Sequence, residues 1–539
     1  MAKPKTPNQK RKYGELNKRL AKYVMLVESI YEDLNLEAAK IVGITDFAID
    51  SDKPFMWSNY PQTRKRIRDL QERFVEDIGA VIYSGTSEEW KNSNEVQDLL
   101  ANKVLQTYGA TIGKEKYEIL YQPNNDALKA FQQRKDKGFT ISDKLWNQST
   151  LYKQELEEAI SCAIQKGTSA ITLSKQISKY LLDFPQLQKD YKERFGKASR
   201  AMDCEYRSIR LAASEINMAY RQAENLRWQQ MDFVVGYEIK LSNNHTCNGK
   251  PFQDICDILA GKYPKDFQWT GWHPLCRCYK IPILKTEEEF WEWDGRSEAT
   301  TASVNEVKDV PDAFKKWVLD NQERISTAKK RNTLPYFLRD NKSVYQKITV
   351  ESSISEIVKR ASSVGDEVQS IAERIAIKNG GYVTPINFKS TTSITRKVIT
   401  EGITPYDIKD AVRTTIIVPK SRIEDVLEEM YKTEGFLRLK RQKPESFMGY
   451  SGNIVNIRTT NGLTAGIQVN TERMIFAKER PEDAKRILGK KRWEEIHNET
   501  GMEGGLGHKY YEQWRILDKS SNEALKIVEK SIEYYSHFR

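Results

Sequence analysis

Sixteen residues, "WTGWHPLCRCYKIPIL" at 269–284, gather one histidine and two cysteines in a 539-residue chain that has five histidines and six cysteines in all. His273, Cys276 and Cys278, with Cys247 and Cys256 upstream and His245 in reserve, are the donor types that zinc gathers into a tetrahedron of four. His273-x-x-Cys276 has chelating spacing; Cys276-x-Cys278 is tighter than zinc pairs usually are. Two readings stay open: zinc ligation, or a packed element in which Trp269 and Trp272 pack on the helices and the thiols are buried. A redox pair fits less well, because that chemistry uses Cys-x-x-Cys at a helix start and this pair leads into the strand-like "YKIPIL".

A second set of segments lies in the C-terminal half. "FKSTTSITRK", "YDIKDAVRTTIIVP", "MGYSGN", "GIQVNTERMIFAKE" and "GHKYYEQWR" follow one another. Together they offer a basic segment for phosphates, an acidic residue entering a strand for Mg²⁺, a tyrosine for base stacking and a polar strand face for positioning.

Elements must hold these residues in place. The length predicts two or three domains. Hydrophobic residues make up 39% and charged residues 30%, and no run approaches the roughly 18 apolar residues of a membrane helix, so a protein without a membrane segment is expected. The start lacks the apolar stretch of a secretory signal, which predicts reduced thiols and no disulfide framework. Net charge is +11, and the first 22 residues hold eight Lys or Arg against one acidic residue, Glu15. This basic arm suits phosphates of a nucleic acid, or serves as a solvated tail.

Ile67, Leu70, Phe74, Ile78 and Val81 recur at helical spacing. So do Leu156, Ile160 and Ile164, before a break at Gly167 and a restart at Thr168 and Ser169, and again Ile209, Ala213, Ile216 and Tyr220. Cys162 and Cys204 fall in these helices and are expected to be buried. "FVVGYEIKLS" alternates like a strand. From residue 350 the pattern becomes α/β, with a buried strand in "DAVRTTIIVP", a helix in "SRIEDVLEEMYKTEGF", and two strands joined by a two-residue turn at Asn461-Gly462. The expected domains are a basic arm and first helix at 1–59, a mainly α domain with a small Cys/His loop-rich element at 60–295, a linker with one helix at 296–345, and an α/β (α+β) domain with a mixed sheet at 346–539.

"RLAASEINMAYRQA", then a strand, a loop with Cys247 and "GWHPLCRCYKIPIL", resembles the phage head morphogenesis family, minor capsid proteins like protein F of phage Mu. The resemblance covers roughly residues 60–285. It implies a minor head protein made in the bacterial cytoplasm and carried in the virion near the portal, with portal and capsid proteins as partners and phage DNA as a contact of the basic arm.

The order of the C-terminal segments resembles the RelA/SpoT nucleotidyltransferase-like synthetase domain over about residues 350–539. That resemblance implies transfer of pyrophosphate from ATP to the 3′-hydroxyl of a nucleotide or tRNA. Lys389 and Arg396 would contact ATP phosphates, Asp410 would hold Mg²⁺ (Asp407 in another register), Tyr450 would stack the acceptor base, and Gln468 and His508 would lie in or near the site. Two departures stand out. The family's Glu-Ile-Gln-Ile-Arg-Thr is Gly466-Ile467-Gln468-Val469-Asn470-Thr471 here, so the strand face has lost its carboxylate, with Glu472 or Glu479 as substitutes. Gly449-Tyr450-Ser451-Gly452 also lacks the family's cation. No His-Asp dipeptide occurs, so the family's hydrolase module is expected to be absent. The resulting expectation is a phage minor head protein whose RelA/SpoT-like domain is idle and kept for binding or structure. The alternative is a virion-delivered polymorphic toxin that is an active ATP-dependent pyrophosphokinase.

Overall fold

The computed structural model describes residues 6–44, 52–108, 118–163, 170–242, 246–247, 250–251, 253–292, 302–444 and 448–539. The chain divides into two compact units, Met1–Tyr345 and Gln346–Arg539. Both are mostly helical, and the second carries a mixed sheet. No helix among the described residues is long and apolar enough to cross a membrane.

In the first unit, helices Gln9–Ile44, Arg64–Tyr108, Ile141–Ala163 and Cys204–Gln230 share a core. Ile67, Leu70, Phe74 and Ile78 are buried in it and Val81 packs against it, as an apolar stripe at helical spacing requires. Leu156 and Ile160 join them, whereas Ile164, Gly167, Thr168 and Ser169 lie outside the described residues. The basic arm departs from expectation. Gln9–Ile44 is one helix of 36 residues. Its Tyr13, Leu16, Val27, Tyr31 and Leu34 are buried, and Arg19 forks onto the buried Glu89 at 2.6 and 2.7 Å. Charge counting hid a stripe spaced by threes and fours, which turns most of the arm into a core helix.

A three-stranded antiparallel sheet closes this unit. Its strands are β1 (Val234–Lys240), β4 (Gly261–Tyr263) and β5 (Tyr279–Leu284), in the order β4-β1-β5. Between β1 and β4, β2 (Thr246–Cys247) pairs with β3 (Lys250–Pro251). The expected linker is also different. Residues 312–345 form helices Asp312–Asp320, Gln322–Lys330 and Tyr336–Arg339 and the start of Lys342–Ser363. Phe314, Val318, Phe337 and Leu338 are buried, the Phe337 ring lies 5.1 Å from that of Trp272, and Asn341 exchanges hydrogen bonds of 2.7 Å with the backbone of Gln268. Apolar residues concealed in a polar stretch make it a wall of the cysteine-bearing element.

The second unit is built on β6 (Tyr382–Val383), β7 (Asn387–Phe388), β8 (Val412–Ile417), β9 (Phe436–Gln442), β10 (Gly452–Arg458) and β11 (Thr464–Asn470). The order is β6-β8-β11-β10-β9, with β7 also on β8; β8 and β11 run parallel and every other pair antiparallel. Ala465, Ile467 and Val469 of β11 are fully buried in a core with Val368 and Ala372 of helix Gly365–Lys378 and Val426 and Met430 of helix Ile423–Tyr431. Gly466 and Gln468 therefore face the opposite side. The β10–β11 hairpin forms where Asn461-Gly462 predicts it, with a longer turn. Thr459 N donates to Leu463 O (2.9 Å) and Gly462 N to Thr459 O (2.8 Å), which leaves three residues in the loop. Gly462 takes the left-handed conformation at φ 79°.

Candidate functional site

Lys389 leaves β7 with its N–H donating to Ala411 O (2.9 Å), which extends the β7–β8 ladder and brings it beside Asp410. Its Nζ lies 2.6 Å from Asp410 Oδ2, and Lys397 Nζ lies 3.1 Å from Oδ1. Lys397 projects from helix Thr391–Glu401, whose N-terminus is capped by Ser390. Burial pushes the Asp410 carboxyl up, but the two ammonium groups outweigh it and hold the carboxyl below its usual range. Burial also drives Lys389 down; Asp410 opposes this, while Lys397 and Arg413 reinforce it, and the net shift is downward. Asp407 is exposed and serves as a cap, accepting from Thr404 N and Oγ1. Of the two registers, only the one through Asp410 puts a carboxylate among cations.

Gly466 borders Asp410. A Cβ built on it would meet Lys409 O at 3.6 Å and Asp410 Cβ at 3.8 Å, ordinary contact distances.

Two cavities adjoin this face. One of about 370 Å³ is lined by Arg413, Gln468, Lys478, Glu479, Asp483 and Arg486 among others. The other, about 250 Å³, is lined by Tyr450, Gln468, Lys478, His508, Tyr511 and Tyr535 among others. Gln468 and Lys478 belong to both, and Lys478 Nζ donates to Gln468 Oε1 at 2.9 Å. Lys478 also pairs with Glu479 at 3.0 Å. Burial raises the Glu479 carboxyl, yet Lys478, Arg413 and His508 bring it below its usual range, so it is ionised near neutrality.

Tyr450 accepts a hydrogen bond from Asn470 Nδ2 (2.7 Å) and meets the Tyr535 ring edge-on at 5.7 Å. The turn before it depends on Gly449, at φ 77°, where a Cβ would lie 2.5 Å from Ile532 Cα. Ring nitrogen Nε2 of His508 is buried without a partner among the described residues.

The structure thus brings Tyr450, Gln468 and His508 to one cavity and joins Lys389 to Asp410. Arg396 is not in this group: it is exposed on its helix, and the neighbouring Lys397 is the residue turned toward Asp410. Of the two substitute carboxylates, Glu472 is engaged by Arg492 (2.7 Å) and Tyr382 (3.2 Å), and Glu479 lines the cavity with Gln468. Arg413, Lys397, Lys478 and Arg486 escaped the sequence reading. Arg413 alone carried a signal, as the one charge in an otherwise uncharged strand.

The cysteine-bearing element lies in the first unit. Arg221 of helix Cys204–Gln230 is fully buried and donates to Thr270 O (3.0 Å), Cys276 O (2.7 Å) and Cys278 O (2.8 Å), with its guanidinium 4.4 Å from the Trp269 ring. Asn217 adds a 2.8 Å bond to Cys276 O. Lys280 and Glu224 form a fully buried pair at 3.3 Å, and Tyr13 donates to Glu224 at 2.5 Å. Trp269 and Trp272 are buried, as the packing reading expects. Cys256, Cys276 and Cys278 are buried with their sulfurs within 4.8 Å of one another; Asp254 and His273, both half-buried, make a second donor trio with Cys256. His245 and the side chain of Cys247 lie outside the described residues. Cys162 and Cys204 are buried in helices away from this cluster.

No family model matches the chain. The (p)ppApp synthetase toxin Tas1 of Pseudomonas aeruginosa (strain UCBPP-PA14) is 35% identical to it over 181 residues, 33% of this chain and 41% of that protein. Over about a third of its length, the chain is homologous to Tas1. It spans about two fifths of the length of Tas1. A solved structure of the complex between the Type VI effector Tas1 and its immunity protein is 34% identical, covering 35% of this chain and 97% of that one, with a TM-score of 0.32. Homology to Tas1 supports the RelA/SpoT-like and toxin expectations over that third; the head-morphogenesis expectation is not among what these comparisons show.

Proposed function

We propose that the second unit is a toxin of the pyrophosphokinase type, which transfers the β,γ-pyrophosphate of ATP to the 3′-hydroxyl of an adenine nucleotide and so forms (p)ppApp. The segments that resemble the RelA/SpoT synthetase domain all lie within Gln346–Arg539. The observation that carries the reading is the pair of cavities with a common wall at Gln468 and Lys478, one holding Arg413, Lys478 and Arg486 beside Glu479 and Asp483, and the other lined by aromatic rings. Arg413, Arg486 and Lys478 suit the triphosphate, and Tyr450 suits an acceptor base. Asp410 fits Mg²⁺, which takes one or two carboxylates and completes its shell with phosphate oxygens; when bound, the ion would neutralise phosphate charge.

In the reaction the 3′-oxygen bonds to the β-phosphorus as the bond from that phosphorus to the α,β-bridging oxygen breaks, and AMP leaves. Glu479, ionised and beside Gln468, takes the hydroxyl proton in the role that Gly466 has lost. Lys389 and Lys397 exchange Asp410 for phosphate oxygens. Full-length protein with ATP, Mg²⁺ and ADP is expected to release AMP in step with a 3′-pyrophosphorylated product. Absence of AMP with adenine nucleotides, guanine nucleotides and tRNA alike would return the domain to the idle reading.

For the first unit we propose the phage-head role, as the carrier that brings the toxin into the virion. Its support is that the resembling residues form one packed assembly, with Asn217 and Arg221 bound to the carbonyls of Cys276 and Cys278. Mass spectrometry of purified particles is expected to find the chain; its absence from them overturns this role.

A further inference from the structure

The geometry points to a structural zinc site in the first unit, made by Cys256, Cys276, Cys278 and His273. Tetrahedral zinc with Zn–S bonds of about 2.3 Å sets its sulfurs roughly 3.8 Å apart. Cys256 Sγ and Cys276 Sγ are 3.8 Å apart, and Cys278 completes a buried trio. The tight Cys276-x-Cys278 spacing suits this arrangement. The two residues immediately precede β5 and are both buried, with the exposed Arg277 between them. Cys256 approaches from another element, the short helix Ile255–Leu259, whose start is fixed by a capping box of Asp254 and Asp257.

His273, which shares a trio with Cys256 but not with Cys276 or Cys278, is assigned as the fourth donor. Its Nδ1–H donates to Pro274 O at 2.7 Å, because a carbonyl can only accept, and this leaves the Nε2 lone pair facing Cys256 Sγ at 3.1 Å. A backbone carbonyl on the remote nitrogen is the partner that orients metal-binding imidazoles. Asp254 Oδ2 waits 3.3 Å from the same Nε2. In zinc geometry a sulfur and a nitrogen are about 3.6 Å apart, so metal entry moves the imidazole away from Cys256 and toward the other two sulfurs. The thiols give up their protons on binding. The bound ion ties the helix Ile255–Leu259 to the segment that Arg221 and Asn217 hold by its carbonyls.

The test uses the full chain, purified in reducing buffer without chelator. Elemental analysis is expected to give about one zinc per chain, and cobalt in its place to give thiolate charge-transfer absorption and the strong visible bands of a tetrahedral site. Cys276→Ser and Cys278→Ser lose metal affinity by at least about tenfold, a loss that even a hydrogen-bond partner of a ligand causes. His273→Ala keeps the charge-transfer band and changes the visible ones, while Cys204→Ser leaves both as they are. Should a ligand variant fail to fold, zinc release from the unmodified chain by a thiol-blocking reagent tests the same ligation. A chain with free thiols that takes up neither metal, or a Cys256–Cys276 disulfide in the intact mass, overturns the site. Unchanged visible bands in His273→Ala overturn the fourth ligand.

Discussion

Lys389 and Asp410 meet at 2.6 Å where the β7–β8 ladder runs out, and Lys397 closes on the other carboxylate oxygen at 3.1 Å. The carboxylate that would take Mg²⁺ is thus held by the cations that would take phosphate. Asp410→Asn keeps the shape and removes the charge. AMP formation is expected to fall by about 10²-fold or more, the scale on which one electrostatic contact to the transition state acts. Single-turnover assays at saturating ATP and Mg²⁺ check it.

The same pair sets a pH dependence. The folded carboxyl titrates below its ordinary 3.8, so the folded state binds fewer protons than the unfolded chain in that range. Its stabilising contribution is complete above about pH 3.8 and is lost as pH falls through the depressed value. Thermal unfolding of the wild type against Asp410→Asn is expected to show a gap at pH 6 that closes in strong acid.

Glu479→Gln is expected to lower turnover by about 10²- to 10⁴-fold with little change in the KM for ATP, the signature of a lost general base. Glu472→Gln, whose carboxylate is engaged by Arg492, is expected to stay within about twofold of wild type. Parallel kinetics on the two variants test whether Glu479 or Glu472 serves as the base.

Tyr450→Ala removes a stacking surface worth about 1–3 kcal/mol. The KM for the acceptor is expected to rise roughly 5- to 150-fold while that for ATP holds. Varying the two substrates independently separates these effects.

Arg221→Lys is expected to destabilise the first unit by about 3 kcal/mol or more, because an ammonium cannot reach three carbonyls arranged for a planar guanidinium. The fall in Tm of the corresponding transition measures it.

What the sequence disclosed follows from what is local in it. The Asn461-Gly462 hairpin, the burial of Ile67 to Ile78 and the two faces of β11 depend on periodicity and turn chemistry, and each is present. The resemblance led to Lys389, Asp410, Tyr450 and Gln468 because those residues stand in a fixed order. Arg396 and Lys397 are neighbours of like charge, and helix phase, which charge does not disclose, turns Lys397 toward the carboxylate. Glu479 and Glu472 each meet a cation, Lys478 and Arg492, and are told apart by position: only Glu479 lines the cavity that holds Gln468. The linker and the arm conceal their buried side chains for one reason: composition averages over a stretch and loses a stripe.

The wall formed by Gln468 and Lys478 has a thermodynamic consequence. A single ammonium faces both chambers, so a polyphosphate that draws Lys478 toward one of them alters the charge offered in the other. On the proposed function donor and acceptor would then not bind independently: each would change the affinity for its companion by the same factor, as reciprocity demands. Filling one chamber would already be part of selecting what enters the second.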